Sequence, residues 1–273
     1  MKQPTRKSIE NLSVVDVVPQ GAQAVMIRLE KTDGIMPDCL PGQFVEVRID
    51  DVSGVLLRRP ISIHYVDETL QQMWLLVQQV GKGTRWMARL KKGDNVNLVM
   101  PLGNGFSDAE TLRATARACC MKEPRPLLVG GGVGVAPLYY YGTWLSQRGI
   151  KPTFLLGART RQMLLRHEAF ERIGHVFVTT EDGSLGEKGF VTEHSILTQE
   201  RFTSVHVCGS APMMKAVARW AKNADTTCEV SLENMMACGL GACLCCVEKT
   251  VAGNVCVCKE GPVFDTKRLT WQI

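Results

Sequence analysis

The residues with the clearest chemical potential are cysteines near the end of the chain. Positions 238 to 258 hold six of them, namely Cys238, Cys243, Cys245, Cys246, Cys256 and Cys258. The first, second and fourth follow the spacing C-x4-C-x2-C, which is the ligand run of plant-type [2Fe–2S] clusters. Gly239 and Gly241 allow the tight turns that several converging thiolates require. The pattern predicts a one-electron carrier, and tetrahedral zinc on four thiolates is the alternative.

The fourth ligand is not decided by spacing. Cys256 and Cys258 are two residues apart in the strand-like segment NVCVCK, so we expect them on the same side of a strand. Cys258 is favoured because it opens the turn KEGP, although the pattern alone leaves both candidates open. Cys243 and Cys246 are expected to share one iron, and Cys245 to point elsewhere.

Composition limits the classes of function. The 273 residues suffice for two domains and a small appendage, and a hydrophobic fraction of 45% is typical of soluble globular proteins. No apolar run is long enough to span a membrane, and the net charge of +5 is scattered, which disfavours nucleic-acid binding. An odd count of 11 cysteines, with no apolar N-terminal segment, favours a reducing cytoplasm over a secreted disulfide framework.

A glycine-rich segment predicts a dinucleotide site. Gly131, Gly132 and Gly134 follow the apolar strand LLV and precede a helix. Glycines there let a pyrophosphate approach the backbone, and the helix start offers unpaired N–H groups. The alternative is a turn needed only for chain reversal.

A second pair of motifs also indicates anion binding. Arg59 could clamp a phosphate and Ser62 could donate to one, although Arg58 and Arg59 alone could be a solvated surface pair. The segment GKGT then begins a short predicted helix, TRWMARLKKG, with Thr84 as its N-cap. An arginine clamp together with a glycine–threonine turn suits a flavin dinucleotide better than either does alone.

The elements that must position these groups fall into three parts. Short β-branched segments over residues 9–106 predict an antiparallel barrel, and residues 107–122 predict a bridging helix. From residue 125 strands alternate with helices, which predicts a parallel sheet. We therefore expect a mixed fold: an N-terminal antiparallel β-barrel (1–107), an α/β parallel-sheet nucleotide domain (108–227) and a small C-terminal β-rich cluster module (228–273).

The motifs RPIS, GKGT, MPLGNGF, LLVGGGVGVAPL and VCGSAPMM together resemble the ferredoxin-NADP reductase superfamily. The tail ACGLGACLCC…CKEGPVFD is similar to that of the electron-transfer subunits of class 1B, NAD-dependent dihydroorotate dehydrogenases. The resemblance covers nearly the whole chain. One departure is Ile61, which stands where the superfamily has an aromatic residue beside the flavin.

The resemblance implies three cofactors and the residues that hold them. FAD would be held by Arg59, Pro60, Ile61, Ser62, Leu76, Val77, Gln78, Gly83 and Thr84. NAD(H) would be held by Gly131, Gly132, Gly134, Cys208 and Gly209. The [2Fe–2S] cluster would be held by Cys238, Cys243, Cys246 and Cys258, since the family's last ligand directly precedes such an x-x-Gly-Pro-Val-Phe turn.

The resemblance also implies a partner subunit and a direction of electron flow. An FMN-containing catalytic subunit would oxidise dihydroorotate, and electrons would pass through the cluster and FAD to NAD⁺ in pyrimidine biosynthesis. A heterotetramer of two of each chain is expected. Two alternatives remain: a similar reductase subunit of a hydrogenase, sulfite reductase or ferredoxin-linked transhydrogenase, and a zinc-stabilised binding module.

Overall fold

A closed barrel forms the first part of the structure, a computed structural model that describes residues 6–21 and 23–273. Its six strands are β1 (Ser8–Gln20), β2 (Ala24–Glu30), β3 (Phe44–Val47), β4 (Arg59–Asp67), β5 (Gln72–Gln78) and β6 (Asn95–Leu102). They pair antiparallel in the order β1-β2-β5-β4-β3-β6, and β6 returns to β1. The helix α1 (Lys82–Met87) lies between β5 and β6.

A sheet of seven strands forms the second part. Its elements are α2 (Ala109–Ala118), β7 (Pro126–Gly131), α3 (Val135–Ser146), β8 (Thr153–Ala158), α4 (His167–Glu171), β9 (His175–Thr180), β10 (Glu187–Lys188), α5 (Ile196–Gln199), β11 (Ser204–Cys208), α6 (Ala211–Asn223), β12 (Thr227–Ser231) and, from the end of the chain, the last strand (Val263–Asp265). The order is β10-β9-β8-β7-β11-β12, all parallel, with the last strand antiparallel to β12 at the edge.

The C-terminal segment contains the cysteine loop and little regular structure. A hairpin of β13 (Val247–Thr250) and β14 (Gly253–Cys256) follows the loop, then α7 (Val257–Glu260) and the edge strand, β15 (Val263–Asp265). The expected boundary between residues 227 and 228 falls inside β12, which pairs with both β11 and β15. The last segment therefore shares its anchoring strands with the nucleotide domain.

Three apolar cores hold these parts together. One fills the barrel, a second joins the outer face of β2 and β5 to α3, and a third extends from the sheet to the cysteine segment. The third core includes Phe44 and Leu102 of the barrel together with Cys246 and Cys258. The cysteine segment is thus packed against both larger parts.

The predicted combination of barrel, parallel sheet and small C-terminal module is confirmed. Two local predictions are wrong. The helix after β5 begins at Lys82 with Gly81 as its N-cap, so Thr84 lies in the first turn instead of capping it. The segment NVCVCK is not one strand, because β14 ends at Cys256 and α7 begins at the next residue. Within the described ranges, no helix is both long and apolar enough to cross a membrane.

Candidate redox site

The expected flavin strand has an open edge. The bonded register between β4 and β5 begins at Ile63 opposite Leu75, so Arg59–Ser62 pair with β3 but not with β5. On β5, the residues that would face them, Leu76–Gln78, pair only with β2. Backbone groups on both facing edges are therefore available to a ligand, which fits a flavin lying against this gap.

The side chains at this gap contribute unequally. Leu76 and Val77 are 2% and 1% exposed because they fill the interdomain core and the barrel core, so they can meet a ligand only through their backbone. Pro60 and Ser62 are half-buried on the outer face of β4, whereas Ile61 packs against the barrel core. An aromatic cover over the flavin is therefore not supplied by residue 61.

The arginine and the glycine–threonine turn are neighbours. A Cβ added to Gly83 would lie 2.9 Å from Nε of Arg59. A larger residue at position 83 would therefore displace the Arg59 guanidinium. Nη1 of Arg59 donates to the carbonyl oxygens of Leu57 (2.6 Å) and Arg58 (3.1 Å). The Thr84 hydroxyl accepts from two backbone N–H groups of the turn and donates to the Gly81 carbonyl, so it shapes the turn.

The glycine-rich loop lies at the switch point of the sheet. β7 has β8 on one side and β11 on the other, and open α/β sheets bind ligands at the carboxyl ends where strand order reverses. A Cβ on Gly134 would lie 2.5 Å from the carbonyl oxygen of Cys208, and one on Gly209 would lie 3.4 Å from the Gly131 nitrogen. The structure therefore brings together Gly131, Gly134, Cys208 and Gly209, with Gly132 beside them.

Two residues at this loop were missed by the sequence analysis. The sulfur of Met213 would be 2.5 Å from a Cβ on Gly131, so this side chain covers the loop. Glu233 follows β12 at the same edge and is exposed. Burial raises the pKa of the Cys208 thiol, and the Glu233 carboxylate adds to this effect. In the sequence, the position of Glu233 just beyond a predicted strand, at the carboxyl edge of the sheet, was the signal that could have indicated it.

A buried histidine connects β4 to α3, the helix that follows the glycine-rich loop. Nδ1 of His64 on β4 lies 2.9 Å from the carbonyl oxygen of Ala136 in the first turn of α3. Its ring stacks on Tyr139 with 4.7 Å between ring centroids. Burial, together with the charge of Arg166, lowers the pKa of His64 to about 3, so the ring is neutral at ordinary pH.

The four predicted ligands make two direct contacts, Cys238 with Cys243 and Cys246 with Cys258. Burial acts to raise the pKa of the Cys238 thiol, but hydrogen bonds from the N–H groups of Leu240 and Cys243 and from the Cys243 thiol outweigh it and lower the pKa to about 6. Cys258 donates its N–H to Sγ of Cys246 at 3.4 Å, and burial next to Cys246 raises the pKa of the Cys258 thiol to about 12. Between Cys243 and Cys246 the loop turns through Leu244, which has a φ of 57°, and the expectation that these two cysteines share one iron stays a prediction.

This donor set fits an iron–sulfur cluster by its chemistry. Cys238 is poised as a thiolate, and N–H groups already point at sulfur, which is how proteins hold and tune such clusters. Cys256 also lies near Cys246, with Sγ 3.8 Å from the carbonyl oxygen of Gly241, so geometry does not exclude it as a ligand. Among the described residues, no group of three or more His, Cys, Asp or Glu side chains is placed to hold a metal ion.

The cysteine loop rests on the strand next to the flavin strand. A Cβ on Gly239 would lie 2.9 Å from Cγ of Glu46, and Glu46 on β3 pairs with Pro60 on β4. Glu46 is fully buried, and neither carboxylate oxygen has a hydrogen-bond partner. Burial, with a further contribution from Cys238, raises the pKa of this carboxyl to about 7. β4, the strand expected to hold the flavin, thus contacts α3 through His64 and pairs through Pro60 with the residue beneath the cysteine loop.

Comparison with known proteins agrees with this arrangement. Residues 233–270 match the iron-sulfur cluster binding domain of dihydroorotate dehydrogenase B, and residues 128–219 match the oxidoreductase NAD-binding domain. A solved structure described as an NADH-dependent reduced ferredoxin-NADP oxidoreductase, in work on flavin-based electron bifurcation, gives a TM-score of 0.81 at 29% identity. It covers 95% of this chain and 90% of that chain. The predicted cofactor set of FAD, a [2Fe–2S] cluster and NAD is confirmed.

Two curated relatives are similar over most of their length. The dihydroorotate dehydrogenase B (NAD(+)) electron transfer subunit of Fusobacterium nucleatum is 40% identical over 230 residues, covering 82% of this chain and 84% of that protein. The subunit of the same name from Geobacillus kaustophilus is 39% identical over 227 residues, with the same coverage. The chain therefore belongs to the family of electron transfer subunits of dihydroorotate dehydrogenase B, and is an oxidoreductase subunit.

Proposed function

We propose that this subunit carries electrons from a dihydroorotate-oxidising catalytic subunit to NAD⁺, through a [2Fe–2S] cluster and FAD. When bound, FAD exchanges a hydride with nicotinamide and single electrons with the cluster, so it joins a two-electron carrier to a one-electron carrier. The observation that carries the proposal is the position of β4. His64 of this strand contacts the helix that follows the glycine-rich loop, and Pro60 pairs with the residue beneath the cysteine loop.

The residues of each site have defined tasks in this proposal. Arg59 binds the FAD pyrophosphate, the outer face of β4 and the backbone of Leu76–Gln78 hold the ring system, and Gly83 and Thr84 shape the turn beside it. The glycine-rich loop admits the dinucleotide, and Cys208 and Gly209 lie at its nicotinamide end. The thiolates of Cys238, Cys243, Cys246 and Cys258 hold the cluster. The boundaries 1–107, 108–227 and 228–273 remain our division of the chain.

An exposed apolar surface supports docking of the catalytic subunit at the cluster. Several large apolar side chains near the cysteine loop face solvent, with exposed fractions of 81% for Met235, 51% for Leu240, 64% for Leu244, 38% for Val247 and 69% for Val251. Such a group of exposed apolar residues is typical of a protein interface. We propose that an FMN-containing subunit covers this apolar cluster surface in a cytoplasmic complex of two of each chain.

The test is anaerobic reconstitution with a dihydroorotate-oxidising FMN protein. Addition of dihydroorotate and NAD⁺ should then produce NADH, and neither protein alone should do so. Leu244→Asp, which places a charge on the apolar cluster surface, should weaken the complex by tenfold or more, since an interfacial apolar side chain is replaced by a desolvated charge. The matched control is Leu70→Asp, because Leu70 is 58% exposed in the turn between β4 and β5. Equal affinities of the two variants would reject this docking surface.

A further inference from the structure

The loop between β6 and α2 is tied to the segment that follows Cys258. The side-chain amide of Asn104 in this loop donates to the carbonyl oxygens of Glu260 (2.9 Å) and Val263 (3.2 Å). Its Oδ1 accepts from the Val263 N–H at 3.1 Å, and its own backbone N–H donates to the Gly261 oxygen at 2.6 Å. One side chain thus makes three bonds across a sequence separation of more than 150 residues.

The turn that accepts these bonds, residues 260–263, contacts all three parts of the molecule. It follows α7, which contains Cys258, and the Gly261 N–H donates to the carbonyl oxygen of Val257 at 3.0 Å. The carbonyl oxygen of Pro262 accepts from the Leu232 N–H at 2.8 Å, next to the strand pair β12–β15. Displacing this turn would therefore move the helix of one predicted cluster ligand relative to the barrel.

The barrel loop and the turn after α7 touch each other through their backbones. A Cβ added to Gly103 would lie 2.6 Å from both the Gly261 oxygen and Cδ of Pro262. Backbone therefore packs directly on backbone here, and Asn104 is the side chain that satisfies the polar groups of the turn. The two bonds to Val263 are partly buried, and leaving such groups unpaired costs free energy.

A separate contact ties the same loop to the parallel sheet. Ser107 donates from Oγ to Oε1 of Glu229 at 2.7 Å, and its backbone N–H donates to Oε2 at 3.1 Å. Nδ1 of the buried His206 lies 2.9 Å from the same carboxylate, and the Tyr141 hydroxyl donates to the Ser107 carbonyl at 2.8 Å. The loop is thus fixed to the cluster segment at residue 104 and to the nucleotide domain at residue 107.

We propose that Asn104 is a positioning residue for electron transfer between FAD and the cluster, and that Ser107 has the corresponding task for FAD and NAD(H). This inference rests on the function proposed above. The barrel holds the flavin, so whatever fixes the cluster segment to the barrel also fixes the separation of the two carriers. Electron transfer through protein slows steeply as that separation grows, whereas the chemistry within each site does not depend on it.

The experiment compares Asn104→Ala with wild type in protein loaded with FAD and cluster. The flavin–cluster separation is measured from the magnetic coupling between the two one-electron-reduced cofactors, and the rate of cluster reduction is followed after NADH reduces the flavin. Asn104→Ala should weaken the coupling and slow cluster reduction by about tenfold or more. The cluster's own paramagnetic spectrum and the rate of flavin reduction by NADH should stay within about twofold of wild type.

Two matched variants separate positioning from a general structural loss. Ser107→Ala should show the opposite profile, with slower flavin reduction by NADH and unchanged flavin–cluster coupling. Asn234→Ala removes an asparagine that bonds Glu248 within the cluster segment and does not reach the barrel, so it should leave both quantities unchanged. If Asn104→Ala does not retain the cluster, Asn104→Ser, which keeps one hydroxyl for the turn, is measured in the same way.

The outcomes separate this inference from the function on which it rests. Wild-type protein that binds neither flavin nor iron under reconstitution would overturn the proposed function. Loaded wild type that behaves as expected, together with an Asn104→Ala protein of unchanged coupling and rate, would overturn only the role of Asn104. Equal slowing of both electron-transfer steps in Asn104→Ala would also reject it, because a positioning role predicts an effect at one end of the flavin only.

Discussion

The nucleotide side and the cluster side of β4, the strand proposed to hold the flavin, are built by different means. On the nucleotide side, parallel strands end together, and the loop glycines pack against the backbone of Cys208 and Gly209. On the cluster side, residues 232–246 form no helix or strand, and in the described part of the chain no three His, Cys, Asp or Glu side chains are placed to hold a metal ion. The sheet therefore fixes the first site through backbone hydrogen bonds, whereas the second has to be completed by the group that it binds.

This difference indicates where ordering free energy comes from. A site formed by sheet edges is ordered when the whole domain folds, so it already has its shape when the ligand binds. A loop held by few regular bonds gains its order from cofactor binding, because the free energy of metal binding is then coupled to local folding. The interior groups differ accordingly: the pKa of His64 is lowered to about 3, while that of Glu46 is raised to about 7, within reach of ordinary pH.

The largest expected effect comes from removing one ligand of the cluster. Cys246→Ser should abolish the cluster's optical and paramagnetic signals, because Cys246 is buried and hydrogen-bonded to the Cys258 backbone. Reduction of the flavin by NADH should persist, since the nucleotide side is built independently. The matched control is Cys245→Ser, at an exposed thiol that is not a predicted ligand. Loss of the cluster in the control, or its retention in Cys246→Ser, would contradict the assignment.

The next effect concerns stability on the cluster side and depends on pH. The native pKa of Glu46 is about 7 against an ordinary 4.5, so native protein binds more protons than unfolded protein in that interval. Wild type should therefore lose up to about 3 kcal/mol of unfolding free energy as the pH rises from about 4.5 through 7. Glu46→Gln should remove this dependence and be more stable than wild type in mildly alkaline buffer.

Urea unfolding of loaded protein at several pH values measures this contribution. Glu123→Gln, at an exposed glutamate before β7, should retain the pH dependence of wild type. A Glu46→Gln protein whose unfolding free energy follows wild type at every pH would mean that the buried carboxyl finds a partner when the cofactors are bound.

A smaller effect is expected from a glycine on the nucleotide side. Gly134→Ala would place a methyl group 2.5 Å from the Cys208 carbonyl oxygen, and overpacking of this kind costs about 1–3 kcal/mol. NAD(H) binding should weaken, while the flavin and cluster spectra stay unchanged. Gly132→Ala meets no atom within 4 Å and bears only the strain of a φ of 57°, so about 1 kcal/mol is expected. Calorimetry and NADH titration distinguish the two, and equal losses would contradict the packing argument.

An effect of similar size is expected at the flavin site. Arg59→Ala removes a charge-assisted hydrogen bond worth roughly 1.5–3 kcal/mol, so FAD should be retained about tenfold to a hundredfold less tightly. Arg89→Ala removes an exposed arginine just beyond α1 and should retain FAD as wild type does. Flavin content after extensive dialysis measures both variants, and unchanged content in Arg59→Ala would reject the clamp.

The sequence predicts those features that depend on local patterns. The alternation of strand and helix patterns predicted the parallel sheet, and the cysteine spacing predicted the cluster loop. The pairing of Cys258 with Cys246 was not predictable, since α7 replaces the expected strand and its first N–H bonds the Cys246 carbonyl. Asn104 and Glu46 were missed for a related reason: their importance arises only when distant segments pack together, and no local pattern marks them.

The most direct test of the electron path uses the complete complex. NAD⁺ reduction driven by dihydroorotate is measured with wild type and with Cys246→Ser, both loaded with FAD and assembled with the catalytic partner. Because the cluster is proposed as the path between the partner and FAD, the rate in Cys246→Ser should fall by at least about a hundredfold. Production of NADH at the wild-type rate by a cluster-free complex would contradict the proposed route.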